Sequence, residues 1–258
     1  MPRTERPHAH HQISQVFWVL LAIFIASGAA LWMNWGANPT SLRIGVFLFV
    51  LSGWLVSLCF HEYAHARTAL HGGDITVGEK GYLRLNPFAY SNALLSYALP
   101  VLFIILGGIG LPGGAVFIER GRIRSKWKNS LVSVAGPMVN LVCAAVLLVP
   151  LGNGAFNSAG PYFQVAVAFL GLLQVTATIL NLLPVPGLDG YGIIEPWLSH
   201  PNRRAFANIA PYGMILVFVL LYQPSVNAWF FGIVYDVLNA TGVSPYAAEL
   251  GRQAFRFW

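Results

Sequence analysis

Two histidines and a glutamate lie close together in an otherwise apolar part of the chain. The stretch LCFHEYAHARTAL, residues 58–70, contains His61, Glu62 and His65, and the seventeen residues from Ile44 to Phe60 before them carry no charge. On a helix, two histidines four residues apart project from one face and can bind the same metal ion. The glutamate between them is placed to take a proton from a water molecule that the metal activates. The pattern therefore predicts a zinc hydrolase centre.

The apolar surroundings decide between this prediction and a chance match of a short pattern. An ionisable side chain inside a membrane span costs about 2.5–3.5 kcal/mol on insertion scales, and such side chains are usually functional. Three of them occur here within five residues. We therefore interpret His61 and His65 as metal ligands and Glu62 as the general base.

A catalytic zinc site usually has a third protein ligand and one open position. The stretch NLLPVPGLDGYG, residues 181–192, offers Asp189, the first charged residue after sixty neutral ones. Prolines end the apolar span before it, and glycines flank the aspartate in a turn that can direct its carboxylate towards the histidines. The alternative is an ordinary turn or cap residue. The two histidines favour the interpretation of Asp189 as the third ligand.

The composition indicates what must position these residues. Of the 258 residues, 56% are hydrophobic and only 9% are charged, whereas soluble domains carry about 25% charged residues. Several charge-free windows exceed the roughly 20 residues that a helix needs to cross the bilayer. The fold class predicted is a polytopic α-helical membrane protein. Its net charge of +6 comes from residues beside apolar spans, so we expect it to set membrane orientation, with no nucleic-acid partner.

Six apolar segments are predicted to cross the lipid bilayer, and a seventh to be re-entrant. The crossing segments are Val16–Met33, Ile44–Tyr63, Leu131–Pro150, Tyr162–Leu183, Phe206–Tyr222 and Val226–Asn239. Ala93–Leu111 is the re-entrant segment, because a crossing there would move five basic residues between 120 and 128 to the outside. This topology leaves fourteen of fifteen basic residues in the cytoplasm. It places both termini there, and the active site near the cytoplasmic face of the inner membrane.

Two short stretches outside the spans are predicted to form a small membrane-associated sheet. Asp74–Asn86 reads as a β-hairpin with its turn at Gly78–Gly81, and Gly114–Ser125 as a strand pair or an edge strand. The alternative for both is a surface loop. An open strand edge would hold an unwound substrate by β-addition. The whole chain, 1–258, is predicted to be one domain, with a flexible segment 1–14, a catalytic core 44–190 and C-terminal helices 205–258.

Three motifs together resemble the site-2 protease family of intramembrane zinc metalloproteases. They are HEYAH at 61–65, SVAGPMVN at 133–140 and NLLPVPGLDG at 181–190. The family pairs H-E-x-x-H on one transmembrane helix with N-x-x-P-x-x-x-L-D-G on a later one, and the resemblance covers roughly Ser57 to Gly190. Within this family, the chain resembles a compact member without a PDZ domain. Gly136 and Pro137 of the middle motif are interpreted as packing residues.

The resemblance implies roles for five residues and one zinc ion per chain. His61, His65 and Asp189 would be the zinc ligands, and Glu62 the catalytic base. Asn181 would lie near the active site, where its amide could hydrogen-bond substrate or water. The activity implied is hydrolysis of peptide bonds in or near transmembrane segments of membrane proteins. An anti-sigma factor or a remnant signal peptide is the kind of substrate that the family suggests.

Three other interpretations remain open at this point. A diiron lipid desaturase or hydroxylase needs more histidines than the four that remain outside the N-terminal cluster. A non-catalytic relative that binds transmembrane helices has no need of the carboxylate of Glu62. A transporter would show broken helices in two repeated halves, and the sequence contains no such repeat.

Overall fold

The protein is built from helices of very different lengths. The computed structural model describes residues 13–36, 38–89 and 116–258. The α-helices found there are Gln15–Trp32 (α1), Pro39–Gly72 (α2), Thr76–Glu79 (α3), Lys126–Gly152 (α4), Pro161–Asn181 (α5), Asp189–Ile194 (α6), His200–Ala207 (α7), Gly213–Tyr222 (α8), Pro224–Ala240 (α9) and Pro245–Phe255 (α10). Short 3₁₀ turns, among them Tyr82–Arg84 and Ala210–Tyr212, connect some of them. These residues contain no β-strand.

The prediction of a β-hairpin at Asp74–Asn86 is wrong. The segment forms helix α3 and the 3₁₀ turn Tyr82–Arg84. The cause is the buried carboxylate of Asp74, whose Oδ1 accepts hydrogen bonds from the backbone N–H and the hydroxyl of Thr76, at 3.0 and 2.7 Å. An aspartate that bonds to the backbone two residues later favours a turn or a helix start over a strand.

The second predicted strand region, Gly114–Ser125, lies only partly within the described residues. From Val116 onwards it consists of an irregular stretch followed by the 3₁₀ turn Arg120–Arg122, without a strand ladder. The predicted re-entrant segment, Ala93–Leu111, lies outside the described residues.

Fewer helices qualify as membrane spans than the six crossings predicted. Within the described ranges, α1, α2, α4 and α5 are long and apolar enough to cross a membrane. A fifth candidate is the pair formed by α7 and Ala210–Tyr222, which is bent by 43°. Proline explains part of the difference: it lacks a backbone donor and starts a new helix at Pro224, so the last apolar runs break into short pieces.

Contacts between helix termini identify the two ends of the bundle. Ser14, just before α1, donates its backbone N–H to Arg84 O at 2.8 Å, so α1 begins where α2 ends. At the other end of α1, Trp32 O accepts the N–H of Gly160, which precedes α5. We call these the Arg84 end and the Arg43 end, since Arg43 lies in the first turns of α2.

The chain passes from the Arg84 end to the Arg43 end once between residues 213 and 241. A Cβ added to Gly213 would lie 1.7 Å from Pro186 O, in the connection between α5 and α6 at the Arg84 end. A Cβ added to Gly152, where α4 ends at the Arg43 end, would lie 1.8 Å from Thr241 O. The two apolar runs predicted as separate crossings are thus two parts of one traverse, interrupted at Gln223.

The C-terminal helix α10 lies at the Arg43 end, across α5 and α2. Its Gly251 faces the carbonyl of Val165 near the start of α5. The guanidinium of Arg43 donates to Gln253 O at 3.0 Å and also to Arg256 O. This arrangement differs from the predicted one, in which the C-terminus returns to the side where α1 begins.

Helix α5 forms the centre of the bundle. Its apolar window is 78% buried inside the protein, whereas that of α1 is 22% buried. A helix that is apolar on all sides is surrounded either by other elements or by lipid, and α2 and α4 pack on α5 here. The peripheral α1 instead leaves most of its apolar surface for lipid.

We predict that Arg43→Ala loosens α10. The loss of hydrogen bonds from a charged group to the carbonyls at the end of α10 is expected to destabilise its docking by about 1.5–3 kcal/mol. Limited proteolysis in detergent micelles, followed by mass spectrometry, measures this as faster cleavage before residue 245. Arg252→Ala is the control, because Arg252 pairs with Glu249 on α10 itself, at 2.6 Å. Equal cleavage rates in the two variants would contradict the proposed role of Arg43 in holding α10 in place.

Candidate metal centre

Three ligand atoms from two distant parts of the chain meet near the Arg84 end. The Nε2 atoms of His61 and His65 are 3.0 Å apart. The carboxylate of Asp189 reaches both, with Oδ2 at 3.3 Å from His61 Nε2 and Oδ1 at 3.4 Å from His65 Nε2. In the described part of the chain, this group qualifies as a metal site, with one ligand atom per residue and all of them within 4.8 Å.

Local structure explains how these side chains come together. Helix α2 presents His61 and His65 one turn apart on a single face, as the four-residue spacing predicts. Asp189 is the first residue of α6, directly after the connection from α5. A Cβ on the next residue, Gly190, would lie 2.2 Å from Leu182 O and 2.3 Å from Leu183 O. Only glycine allows this close approach, which holds Asp189 beside the end of α5.

Hydrogen bonds define which nitrogen of each imidazole carries the proton. His65 Nδ1 lies 2.6 Å from Val132 O, and a backbone carbonyl only accepts, so this nitrogen is the N–H donor. His61 Nδ1 lies 2.5 Å from Asn140 Oδ1, and the amide nitrogen of Asn140 is itself engaged as a donor to Gln174. A neutral imidazole with its proton on Nδ1 presents the lone pair of Nε2, so both histidines direct the nitrogen that can bind a metal towards Asp189.

This set of ligand atoms fits a zinc ion. The two Nε2 atoms and the carboxylate lie 3.0–3.4 Å from one another, so all three can bind one cation placed among them. Ligand atoms in a tetrahedral zinc site lie about 3.3 Å apart, since zinc bonds to nitrogen and oxygen measure about 2.0–2.1 Å. The observed distances are close to that value.

Gly136 of helix α4 keeps the space beside the ligand atoms open. A Cβ added there would lie 2.2 Å from His65 Nε2 and 2.5 Å from His61 Nε2. From the sequence alone this glycine is interpreted as a packing residue, and its position against both nitrogens adds a more specific role. The motif AGP contained the residue, but its register against α2 depends on how the two helices pack, which the sequence did not show.

Glu62 is buried beside the histidines and contacts the irregular segment 116–119. Its Oε2 accepts the backbone N–H of Val116 at 3.1 Å. The other end of this segment is fixed by Asp74, whose Oδ2 accepts the N–H of Glu119 at 2.7 Å. A segment of the chain itself therefore lies over the carboxylate predicted to be the base.

Ion pairs hold the outer end of the segment 116–119. Arg122 and Lys80 both donate to the carboxylate of Glu119, at 2.5 and 3.2 Å. These hydrogen bonds lower the pKa of Glu119 to about 2. Since the folded-state pKa lies below the ordinary value of about 4.3, this stabilisation is complete above that value and is lost only as the pH falls towards 2. The segment is thus anchored throughout the physiological range.

Asn181 is the buried last residue of α5. The structure brings Glu62 and the three ligand residues together, but no hydrogen bond found among the described residues joins Asn181 to them. Its predicted contact with substrate or water stays a prediction.

Comparisons with known proteins identify the family. The chain is 47% identical to zinc metalloprotease Rip2 of Mycolicibacterium smegmatis and 44% identical to Rip2 of Mycobacterium tuberculosis. Each comparison covers 95% of this chain and 94% of the relative. The chain belongs to the site-2 protease family of zinc metalloproteases.

A more distant relative of this site-2 protease is zinc metalloprotease YwhC of Bacillus subtilis, at 31% identity over 72% of this chain and 84% of the relative. No family model matches the chain, and no solved structure does. The curated relatives confirm that the chain is a zinc-dependent protease of the membrane. They decide against the desaturase and transporter interpretations.

We predict that Gly136→Ala abolishes zinc binding by this site-2 protease. The added methyl group would occupy the space against both Nε2 atoms, so the purified variant should contain almost no zinc. Metal content measured by atomic emission spectrometry tests this. The control is Gly232→Ala on α9, where an added Cβ meets nothing within 4 Å. A Gly136→Ala protein with a full zinc ion per chain would contradict the position assigned to the metal.

Proposed function

We propose that His61, His65 and Asp189 hold the catalytic zinc and that Glu62 is the general base for hydrolysis of peptide bonds in or near transmembrane segments. The observation that carries this proposal is the convergence of three possible ligand atoms beside Gly136. Zinc bound there supplies a Lewis acid that polarises the scissile carbonyl and activates water at neutral pH.

Glu62 performs the proton transfers. It takes a proton from the attacking water and later gives it to the leaving amine, which is the usual role of a positioned general base. The N–H of Val116 engages one carboxylate oxygen, Oε2, and thereby orients the group. Oε1 is left to face the reacting water. Burial excludes bulk water that would compete for the same protons.

Asn181 is proposed to donate a hydrogen bond to the substrate carbonyl or its developing oxyanion. The support is its place at the buried end of α5, directly before the Leu182 and Leu183 carbonyls that Gly190 contacts. Asp189 directly precedes Gly190 in the chain. The backbone of Asn181 therefore lies close to that of Asp189, the proposed third zinc ligand.

The Arg84 end is proposed to face the cytoplasm, across an inner (plasma) membrane. Ten of the thirteen basic residues in the described ranges lie at this end and three at the other, and basic residues concentrate on the cytoplasmic side. The three are Arg43, Arg252 and Arg256. The N-terminus and the active site would then be cytoplasmic, with the C-terminal helix α10 on the opposite face.

The substrate is proposed to be a transmembrane protein, such as an anti-sigma factor or a remnant signal peptide, as the family resemblance implies. The chain would act as one domain with residues 44–190 as its catalytic core, a range that contains the ligands, Glu62 and Asn181. A non-catalytic protein that only binds transmembrane helices is the alternative, and the buried carboxylate of Glu62 beside the metal site disfavours it.

We predict that Glu62→Gln keeps one zinc ion per chain and loses cleavage of a model transmembrane substrate, because the amide cannot accept the proton. Positioned acid–base groups contribute about 10²–10⁴-fold to the rate. Cleavage in proteoliposomes and zinc content should be measured on the same preparation, together with Asp189→Ala, which should lose zinc as well as activity. Glu249→Gln, on α10 at the Arg43 end, should change neither property. Undiminished cleavage by Glu62→Gln would refute the assignment of the base.

We also predict that the C-terminus lies outside the cytoplasm. Alkaline phosphatase fused after Trp258 should be active in a bacterial host, because the enzyme matures only outside the cytoplasm, and green fluorescent protein fused there should remain dark. Fusions after Lys128, at the Arg84 end, should give the opposite pattern. A fluorescent fusion after Trp258 would contradict the single traverse between residues 213 and 241.

A further inference from the structure

We propose that Asn140, Gln174 and Ser57 form a positioning relay that fixes the proton of His61 on Nδ1 and so sets the zinc affinity of the site. The inference rests on the proposed zinc ligands and adds three residues that touch neither metal nor substrate.

The relay consists of consecutive hydrogen bonds between buried side chains. Asn140 Nδ2 donates to Gln174 Oε1 at 2.8 Å, and Gln174 Nε2 donates to Ser57 Oγ at 2.7 Å. The hydroxyl of Ser57 donates to Trp54 O at 2.8 Å. The three side chains belong to residues that are at most 5% exposed. Together with the bond from His61 to Asn140, they connect the imidazole to a backbone carbonyl.

The terminal carbonyl determines the direction of every bond. Trp54 O only accepts, so the Ser57 hydroxyl donates to it and its oxygen receives the Gln174 amide. Gln174 then offers its own oxygen to Asn140, which in turn offers its oxygen to His61. Reversing one amide would bring two donors or two acceptors face to face. The relay therefore requires a proton on His61 Nδ1, so that the neutral imidazole presents its lone pair on Nε2.

The relay also fastens the helices that build the site. It starts and ends on α2, because Ser57 and His61 are one turn apart, and it passes through α4 at Asn140 and α5 at Gln174. Gly136, which faces the zinc ligands, lies one turn before Asn140 on α4. Helix α5 leads into Asp189. One set of hydrogen bonds thus connects α2, which carries the histidines, α4, which carries Gly136, and α5, which leads into Asp189.

Zinc affinity tests the relay directly. Asn140→Leu and Gln174→Leu should each weaken zinc binding by about 10–100-fold, the range for residues that orient a ligand histidine. Competition with a chromophoric chelator, in detergent, measures the dissociation constant. Thr176→Val is the matched control, because this buried hydroxyl of α5 donates to Leu172 O of its own helix and, among the described residues, takes no part in the relay. Its zinc affinity should equal that of the wild type.

Asn140→Asp separates the relay from a simple packing role. The aspartate still accepts the Nδ1–H of His61, Gln174 can turn its amide to donate to it, and Ser57 can donate to the Gln174 oxygen. The proton of His61 then stays on Nδ1, so we expect zinc affinity at or above that of the wild type. Packing alone predicts instead that this variant, with a new buried charge, binds zinc no better than Asn140→Leu.

Thermal unfolding gives a second readout. Loss of the relay should reduce the rise in Tm that zinc produces, whereas a purely structural defect lowers Tm equally with and without zinc. Ser57→Ala, the mildest change, should show the same effect to a smaller degree if the larger variants fail to fold.

Unchanged affinity in both leucine variants, or in Ser57→Ala where those do not fold, would overturn the relay. Wild-type protein without zinc, or Asp189→Ala with normal zinc affinity, would overturn the proposed ligands instead.

Discussion

The convergence of two imidazole nitrogens and a carboxylate is the constraint on which this structure depends. These atoms meet at 3.0–3.4 Å inside an apolar bundle. Such a group is costly in a medium of low dielectric constant unless a cation accompanies it. The surrounding helices hold the atoms together in spite of this cost. The site is therefore preorganised for a metal, and its geometry is a property of the bundle rather than of one motif.

Backbone approach, more than side-chain chemistry, makes that preorganisation possible. Gly136 lets α4 lie against the histidines, and Gly190 lets the turn after α5 lie against its own helix end. Both positions would be filled by a single methyl group. Asp74, which is not one of the proposed ligands, also helps to position the site. Its buried carboxylate accepts hydrogen bonds from the start of α3 and from the segment 116–119 that contacts Glu62.

The sequence singled out the three residues that the structure brings together, because each carried a strong local signal. His61 and His65 have the helical spacing of a shared face, and Asp189 is a lone charge after sixty neutral residues. Gly136 was recognised in its motif but not in its role, because the register between α2 and α4 depends on packing. Gln174 left a weaker signal, an amide in an apolar span, whose partners lie far away in the sequence.

Errors in the predicted fold have physical causes as well. The turn residues Gly78–Gly81 suggested a hairpin at 74–86, but the hydrogen bonds from Thr76 to the carboxylate of Asp74 favour a helix start there. Hydropathy counted the runs around Tyr222 as two crossings, because apolar length does not show whether a break reverses the chain. Only the contacts of Gly213 and Gly152 show that it continues in the same direction.

The separation of the ligands along the chain has a consequence for biosynthesis. In the sequence, α4 and α5 lie between His61 and Asp189. The two side chains can therefore meet only after these helices have been made and packed. A ribosome must therefore complete nearly three quarters of the polypeptide before the carboxylate is available. A nascent chain with only α1 and α2 inserted carries two imidazoles and no third ligand. Hydrolytic competence thus arises late, in an assembled bundle, and a partly synthesised chain lacks a complete site.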